Sequence, residues 1–201
     1  VRAGLHRRGA SIEQCRPAHM PCRGCSIFSH GLFPTLSNPP RGPPVKVLLI
    51  AIDTLRSDHL GCYGYNRTTH PTSPYIDGLA GQGAVFERHY AGEVPTPPSF
   101  TAVFHGVRAV RNGIHTFNQH PAEFTCPTPS LARRFARAGH RTGAISNLAH
   151  IYPWLHDGFV DIHKPGNRFQ GGLADEVTDE ALRWVKEFGG GDFFLFVHYW
   201  A

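Results

Sequence analysis

The sequence contains no long hydrophobic run, although 41% of its 201 residues are hydrophobic. None of its apolar stretches approaches the roughly 20 residues that a bilayer-spanning helix requires. No continuous apolar segment follows the first arginines, as one does in a secretory signal peptide. We therefore expect neither a transmembrane segment nor a signal peptide. The apolar side chains are nevertheless numerous enough to form a folded core.

Cysteine is scarce and irregularly spaced, with five residues in the chain. Three of them lie at positions 15, 22 and 25, close to His19, and the other two are isolated. A structural zinc site normally combines two pairs of closely spaced ligands. Because the second pair is missing, the pattern favours an unstructured, cysteine-bearing segment over a zinc site. It leaves the cellular compartment open.

Acidic residues are scarce only in the first part of the chain. Residues 1–44 contain six arginines and a single acid, Glu13, whereas residues 45–201 contain 14 basic and 14 acidic residues. The net charge of +5 therefore belongs to residues 1–44. Since the remainder has no excess charge with which to attract a phosphate backbone, we expect no nucleic-acid partner there. Binding of nucleic acid through the arginine-rich segment is a separate hypothesis.

Hydrophobic periodicity divides the chain into two parts. Residues 1–44 have no period and end in a proline-rich stretch, which is typical of a disordered tail. The remainder predicts strands at 45–52, 84–90, 141–146 and 193–199 and helices at 73–80, 99–104, 128–139 and 173–188. The first strand is a near-continuous aliphatic run, typical of a central parallel strand covered on both faces. Strands that alternate with helices predict an α/β fold with three αβα layers and a mostly parallel sheet.

Two polar residues stand where such a fold carries its chemistry. Asp53 follows the first predicted strand, and Thr96 lies in a proline-rich segment directly before the helix predicted at 99–104. Taken alone, Asp53 is most simply a turn residue and Thr96 a helix cap. Taken together, a carboxylate can hold a metal ion, and the metal ion can activate a hydroxyl as a nucleophile. The pair therefore suggests ester chemistry on a sulfate or phosphate group.

Seven segments, in this order, resemble the sulfatase and alkaline-phosphatase superfamily. They are residues 48–64 (LLIAIDTLRSDHLGCYG), 72–77, 83–86, 96–99, 141–143, 158–159 and 192–198. The resemblance covers residues 45–201 and implies an alkaline-phosphatase-like fold. It also implies that Asp53 binds a divalent metal ion (Ca, Mg, Mn or Zn) and that Thr96 occupies the nucleophile position next to that metal. The implied substrate is a small-molecule or glycan ester of sulfate or phosphate.

Two residues depart from the sulfatase pattern. Sulfatases convert a Cys or Ser in a Cys/Ser-x-Pro-x-Arg motif to formylglycine, whereas this chain has Thr96 there and Phe100 in place of the arginine. Threonine carries an extra methyl group and cannot form that aldehyde, so the resemblance implies a threonyl ester intermediate. Phosphoryl-transferring relatives use threonine in this way. The first hypothesis is a metal-dependent, sulfatase-like hydrolase with a threonine nucleophile, and the second is a phosphoryl-type transferase.

Other residues of the sulfatase site have no counterpart in this sequence. A Lys and a His of the family would fall near Asn147 and Ala149, and the remaining metal ligands belong to the second half of such proteins. We therefore expect a truncated, amino-terminal part of a catalytic domain that turns over esters poorly or not at all. A catalytically inactive binding fragment is the third hypothesis. The histidines at 105, 115 and 120 either contact an anionic substrate or are ordinary loop residues, and the oligomeric state is open.

Overall fold

The computed structural model describes residues 42–166 and 173–200, apart from the side chains of residues 149 and 150. The predicted disordered tail at 1–44, with its cysteines and His19, lies outside the described residues except for its last three positions. In the described part of the chain, no helix is both long enough and apolar enough to cross a membrane.

A four-stranded parallel sheet organises the chain. Its strands are β1 (Lys46–Ile52), β2 (Arg141–Ile145), β3 (Asp161–His163) and β4 (Phe193–Tyr199). They are arranged in the order β1-β4-β2-β3, and every neighbouring pair is parallel. The last strand in sequence therefore lies between the first two, so the carboxyl ends of β1, β4 and β2 are adjacent. The predicted parallel sheet is confirmed.

Two strand predictions were wrong in detail. Residues 84–90 form no strand and are irregular apart from a turn at 87–88, and their apolar side chains are exposed, Phe86 by 71% and Tyr90 by 81%. The apolar run ends at Phe86 and charged residues follow, so a strand there would have no continuous face to bury. β1 is an edge strand of the described sheet. Only one of its faces, which carries Val47, Leu49 and Ala51, packs on the core. An aliphatic run alone does not reveal which face is covered.

Helices and 3-10 turns fill the connections between strands. The helices are α1 (Pro74–Ala80), α2 (Thr96–His105), α3 (Ala109–Asn112), α4 (Leu131–Arg137), α5 (Leu148–Ile151) and α6 (Ala174–Phe188). The 3-10 turns are Ser57–His59, Gly61–Tyr63, Pro121–Glu123 and Pro153–His156. α2 begins at Thr96, three residues before its predicted start. α4 begins later than predicted because Ser130, rather than Thr128, caps it by accepting a hydrogen bond from Arg133 N at 3.0 Å.

Apolar side chains pack on both faces of the sheet. On one face, Phe194 and Phe196 of β4 join a core cluster with Phe104 of α2 and Trp154 of the Pro153–His156 turn. On the other face, Leu195 and Val197 of β4 pack with Val177 and Trp184 of α6. Each fully buried side chain of this size stabilises the fold by about 1.5–3 kcal/mol. This arrangement of helices, sheet and helix confirms the predicted three-layer αβα fold.

Candidate active site

Asp53 and Thr96, which are 43 positions apart in sequence, meet at the carboxyl end of β1. The Asp53 backbone N–H donates to Tyr199 O at 2.9 Å, which extends the pairing of β1 with β4 by one residue. Thr96 is the first residue of α2. Its hydroxyl donates a hydrogen bond to Asp53 Oδ2 over 3.1 Å. The structure therefore brings together the two site residues that the sequence analysis proposed.

Buried hydrogen bonds hold the first turns of α2 in place. Thr101, which is fully buried, donates its hydroxyl to Pro97 O at 2.7 Å and accepts from Trp154 Nε1 at 2.8 Å. Prolines at 95, 97 and 98 have no backbone N–H, and the N–H of Ser99 bonds to Pro95 O at 3.1 Å. The helix dipole still favours an anion at this end, but the first turn offers few free N–H donors for one.

His198 and Ser146 complete a row of polar side chains at this edge. The fully buried His198 points Nε2 toward Asp53 Oδ2 at 3.9 Å and Nδ1 toward Ser146 Oγ at 3.2 Å. Burial lowers the pKa of His198 to about 4, although the neighbouring Asp53 carboxylate acts in the opposite direction. The ring is therefore neutral at pH 7, and its contact with Asp53 is between a dipole and a charge rather than between two ions.

His198 lies in the motif at 192–198 and Ser146 ends the strand predicted at 141–146, but neither residue was predicted to belong to the site. Ser146 directly follows β2, and His198 lies near the end of β4. Sequence patterns place both residues at strand ends, but they do not give the strand order. Only the position of β4 between β1 and β2 makes these residues neighbours of Asp53.

A cleft of about 310 Å³ opens beside Asp53 and is lined by Thr54, Leu55, Arg56 and His59. Thr54 has a φ of +59°, a left-handed conformation that is rare for a β-branched residue and that costs about 1–3 kcal/mol. Such strain is typical of functional sites. Arg56, 71% exposed, donates two hydrogen bonds to Asp58 and holds the pKa of that carboxyl well below its usual range.

A family model described as Sulfatase matches residues 46–201, the region that contains the described sheet and the Asp53–Thr96 pair. This match covers more than three quarters of the chain. The chain belongs to the sulfatase family.

Curated relatives of this sulfatase-family chain are considerably longer than it is. It is 26% identical over 152 residues to the arylsulfatase of Clostridium perfringens (strain 13 / Type A), covering 71% of this chain and 30% of that protein. It is 33% identical over 112 residues to the N-acetylgalactosamine-6-sulfatase of Homo sapiens, covering 52% of this chain and 21% of that protein. The chain thus spans less than a third of the length of these relatives.

Solved structures of the family share this fold. A 2-O GAG sulfatase superposes with a TM-score of 0.62 at 20% identity, over 79% of this chain and 35% of that chain. The phosphonate monoester hydrolase of Agrobacterium radiobacter superposes with a TM-score of 0.54 at 18% identity, over 78% of this chain and 40% of that chain. The alkaline-phosphatase-like fold that the sequence implied is confirmed.

Position 100, where the sulfatase pattern has an arginine, contributes an apolar wall. The Phe100 ring lies edge-on to His198 with 5.0 Å between ring centroids and edge-on to Phe196 with 5.7 Å. It lies one turn of α2 beyond Thr96. The departure that the sequence revealed therefore replaces a cation beside the candidate nucleophile by hydrophobic packing.

None of the three histidines that follow Thr96 lines the cleft beside Asp53. His105 ends α2, about 14 Å from Thr96 at the helical rise of 1.5 Å per residue, and its ring lies 3.2 Å from Thr128 O. His120 caps a 3-10 turn by accepting from Ala122 N at 3.2 Å, and His115 is exposed in the same loop. They are structural or loop residues here, as the sequence analysis allowed.

The side-chain atoms at the end of β1 that could bind a metal ion are oxygens, which suit hard divalent cations such as Mg²⁺ and Ca²⁺. Asp53 supplies a carboxylate that is 16% exposed, and Thr96 supplies a hydroxyl. Within residues 42–166 and 173–200, no three or more His, Cys, Asp and Glu residues are grouped so that they could hold a metal ion. The pair thus fits part of a cation site, with two oxygen-bearing residues.

Proposed function

We propose that the chain carries part of the active site of a sulfatase-family hydrolase, in which Thr96 is the nucleophile. The observation that carries the proposal is the 3.1 Å hydrogen bond from the Thr96 hydroxyl to Asp53 Oδ2. It supports a reactive role because a free threonine hydroxyl is a weak nucleophile and needs a neighbouring group to activate it.

In the proposed reaction, Thr96 Oγ attacks the sulfur or phosphorus atom of the ester. The new O–S or O–P bond forms while the bond to the leaving oxygen breaks, and the leaving group departs opposite the attacking oxygen as an alkoxide that takes its proton from water. Asp53 accepts the hydroxyl proton, which the hydrogen bond already directs toward Oδ2. Water then hydrolyses the threonyl ester and regenerates Thr96.

Asp53 and Thr96 would together contribute to binding a divalent cation. When bound, such a cation lowers the pKa of the hydroxyl and neutralises charge on the ester oxygens. The oxygen chemistry of both side chains supports this assignment. The region 45–201 would then be the amino-terminal part of a catalytic domain, which is supported by its match to the family over residues 46–201 and by the greater length of its relatives.

For the substrate, we propose a sulfate ester of a small molecule or a glycan. The names of an arylsulfatase and an N-acetylgalactosamine-6-sulfatase among the relatives support this class. A phosphate ester, with transfer of a phosphoryl group, is the second candidate. It is favoured by the identity of Thr96, which cannot become formylglycine, and by the apolar packing of Phe100 where sulfatases have arginine.

Calorimetric titration with Mg²⁺, Ca²⁺, Mn²⁺ or Zn²⁺ tests the metal site directly. We expect binding in the micromolar range that Asp53→Ala abolishes. Asp58→Ala is the matched control, because Asp58 lies in the same loop but is exposed and bonds to Arg56 instead. Wild-type binding that is no tighter than that of Asp53→Ala would refute the metal assignment.

Trapping of the threonyl ester tests the nucleophile. The chain is incubated with an aryl sulfate or an aryl phosphate and a divalent cation, quenched in acid and mapped by mass spectrometry. We expect a sulfo or phospho adduct on the peptide that contains Thr96, which disappears in Thr96→Ala and remains in the neighbouring control Ser99→Ala. The substrate that gives the adduct distinguishes sulfur from phosphorus, and an adduct on another residue would contradict the proposal.

A further inference from the structure

Strand order places His198 between two oxygen-bearing side chains. β4 lies between β1 and β2, with His198 opposite Ala51 of β1. On the other side, Val197 is opposite Ile145, so Ser146 follows next to His198. The imidazole therefore spans the gap between Ser146 and Asp53, with one ring nitrogen facing each of them.

The contacts of the ring select one tautomer. The ring is buried among aromatic side chains, which disfavours a charged imidazolium; with one proton on the ring, an N–H at Nε2 faces the Asp53 carboxylate favourably, whereas a lone pair there would be repelled. Nδ1 is then the acceptor, and Ser146 donates its hydroxyl proton to it over 3.2 Å. Ser146 Oγ itself accepts from Leu148 N at 3.1 Å, which holds the oxygen in position for this donation.

Aromatic packing prevents the ring from turning away. The His198 ring stacks on Phe196 with 6.0 Å between centroids, and Phe100 and Trp200 contact it edge-on at 5.0 and 5.5 Å. His198 is 2% exposed, and among the described residues its Nε2 has no hydrogen-bond partner. A polar atom buried in this way without a partner is rare and calls for an explanation.

We propose that His198 is a positioning residue: Ser146 fixes its Nε2–H tautomer, and that N–H holds the Asp53 carboxylate in the orientation in which Oδ2 accepts from Thr96. The chain of contacts runs from Ser146 through His198 and Asp53 to Thr96. The role at Asp53 rests on the proposed function, whereas the tautomer does not. Residues that orient a metal-binding carboxylate typically change metal affinity by about 10–100-fold when they are removed.

Nitrogen-15 NMR of the full chain at pH 7 reads the tautomer directly. We expect the His198 ring to carry its proton on Nε2 in wild type and to lose this preference in Ser146→Ala and in Asp53→Ala. A ring protonated on Nδ1, or a tautomer that neither substitution alters, would overturn the proposal. This measurement requires no metal, so it decides the first step even if the proposed function fails.

Metal titration of three variants tests the second step. His198→Phe keeps the aromatic packing and removes Nε2–H, so we expect the dissociation constant to rise at least about tenfold. His198→Gln retains an N–H donor near the same place and should restore the affinity to within a few-fold of wild type. His105→Phe is the matched control, because His105 is also buried with an unpartnered Nε2 among the described residues but lies at the far end of α2.

Unfolding by urea, measured on the same proteins, separates positioning from packing. Phenylalanine removes the unpaired Nε2 of His198 but also the acceptor of the Ser146 hydroxyl, so a lower stability of His198→Phe is compatible with positioning, provided that the urea curve shows the variant to be folded under the conditions in which it binds metal more weakly. Equal metal affinity of wild type and His198→Phe would overturn the positioning role. Absence of metal binding in wild type would instead refute the proposed function. If His198→Phe does not fold, Ser146→Ala and His198→Gln provide the comparison.

Discussion

Substitution of Gly158 by alanine should destabilise the fold far more than the same substitution at Gly139. Both glycines have a φ of +89°. Alanine in this left-handed conformation lowers the free energy of unfolding by about 1–2 kcal/mol at either position. The two sites differ in the space around the new methyl group. At Gly139, no heavy atom outside the adjacent residues lies within 4 Å of the added Cβ.

At Gly158, the added Cβ would lie 2.0 Å from Arg133 N and 2.3 Å from Arg133 Cα. These are backbone atoms of the first turn of α4, which cannot rotate away as a flexible side chain does. Overpacking of this kind adds about 1–3 kcal/mol. We therefore expect Gly158→Ala to lower the free energy of unfolding by about 2–5 kcal/mol, against about 1–2 kcal/mol for Gly139→Ala.

Urea unfolding followed by circular dichroism measures both losses. If Gly158→Ala does not fold, the corresponding comparison is the yield of soluble, helical protein from the two variants. A loss at Gly158 no larger than that at Gly139 would refute the reasoning, because it would mean that α4 does not pack closely against this turn. If Gly158→Ala is the more destabilising substitution, the motif at 158–159 requires glycine because of its close contact with the backbone of α4.

Three further predictions follow from the same structure. Thr142→Val should cost about 1–3 kcal/mol in urea unfolding, because the buried Thr142 hydroxyl donates to Gly158 O at 2.6 Å; Thr142→Ser should recover most of the loss, and an equal loss in both would contradict this. Burial raises the pKa of Asp157, but hydrogen bonds from Arg133 and Ser130 outweigh it and leave the pKa below its usual value. Its contribution to stability is therefore complete above the unfolded pKa of about 3.9 and is lost as the pH falls through the folded pKa, so Asp157→Asn should flatten the acid limb of the stability curve. Because no three His, Cys, Asp or Glu residues in the described part of the chain are grouped to hold a metal ion, the chain should release at most about one equivalent of phenol from an aryl sulfate or aryl phosphate, as the Thr96 ester forms, and sustained turnover that Thr96→Ala removes would disprove this.

The sequence predicted the Asp53–Thr96 pair because both residues lie at ends of strongly patterned elements. Asp53 follows an aliphatic run, and Thr96 precedes a helix after several prolines. Local sequence signals of this kind predict a strand or a helix and the residue at which it begins or ends. The resemblance to a family then implied that the two residues belong to one site. In the structure, Thr96 Oγ lies 3.1 Å from Asp53 Oδ2.

Features that depend on strand order were not predictable from the sequence. The row of polar side chains that includes Ser146 and His198 forms because β4 lies between β1 and β2 in the sheet. The same order puts β1 at the edge of the described sheet, with Leu48 and Ile50 about half exposed, at 52% and 49%. The run in β1 is continuously aliphatic although burial alternates along it, so the hydrophobic pattern alone did not reveal that one face is exposed.

Much of the family resemblance is explained by packing rather than by chemistry. In the segment at 72–77, Ser73 Oγ accepts from Gly61 N at 2.9 Å and Asp77 Oδ1 accepts from Cys62 N at 2.7 Å, which ties α1 to the loop after β1. In the segment at 141–143, a Cβ on Gly143 would lie 2.6 Å from the Trp184 ring. These contacts stabilise the fold, whatever reaction the site performs.

The chemistry depends instead on a few atoms at the end of β1, and there the chain departs from its family. A threonine stands at the proposed nucleophile position, and the Phe100 ring packs where the sulfatase pattern has an arginine. Family membership therefore establishes the scaffold, while under the proposed function residue 96 determines which reaction the scaffold supports. Because threonine can form an ester but not formylglycine, the trapped adduct on Thr96 is the observation that decides between a sulfuryl and a phosphoryl enzyme.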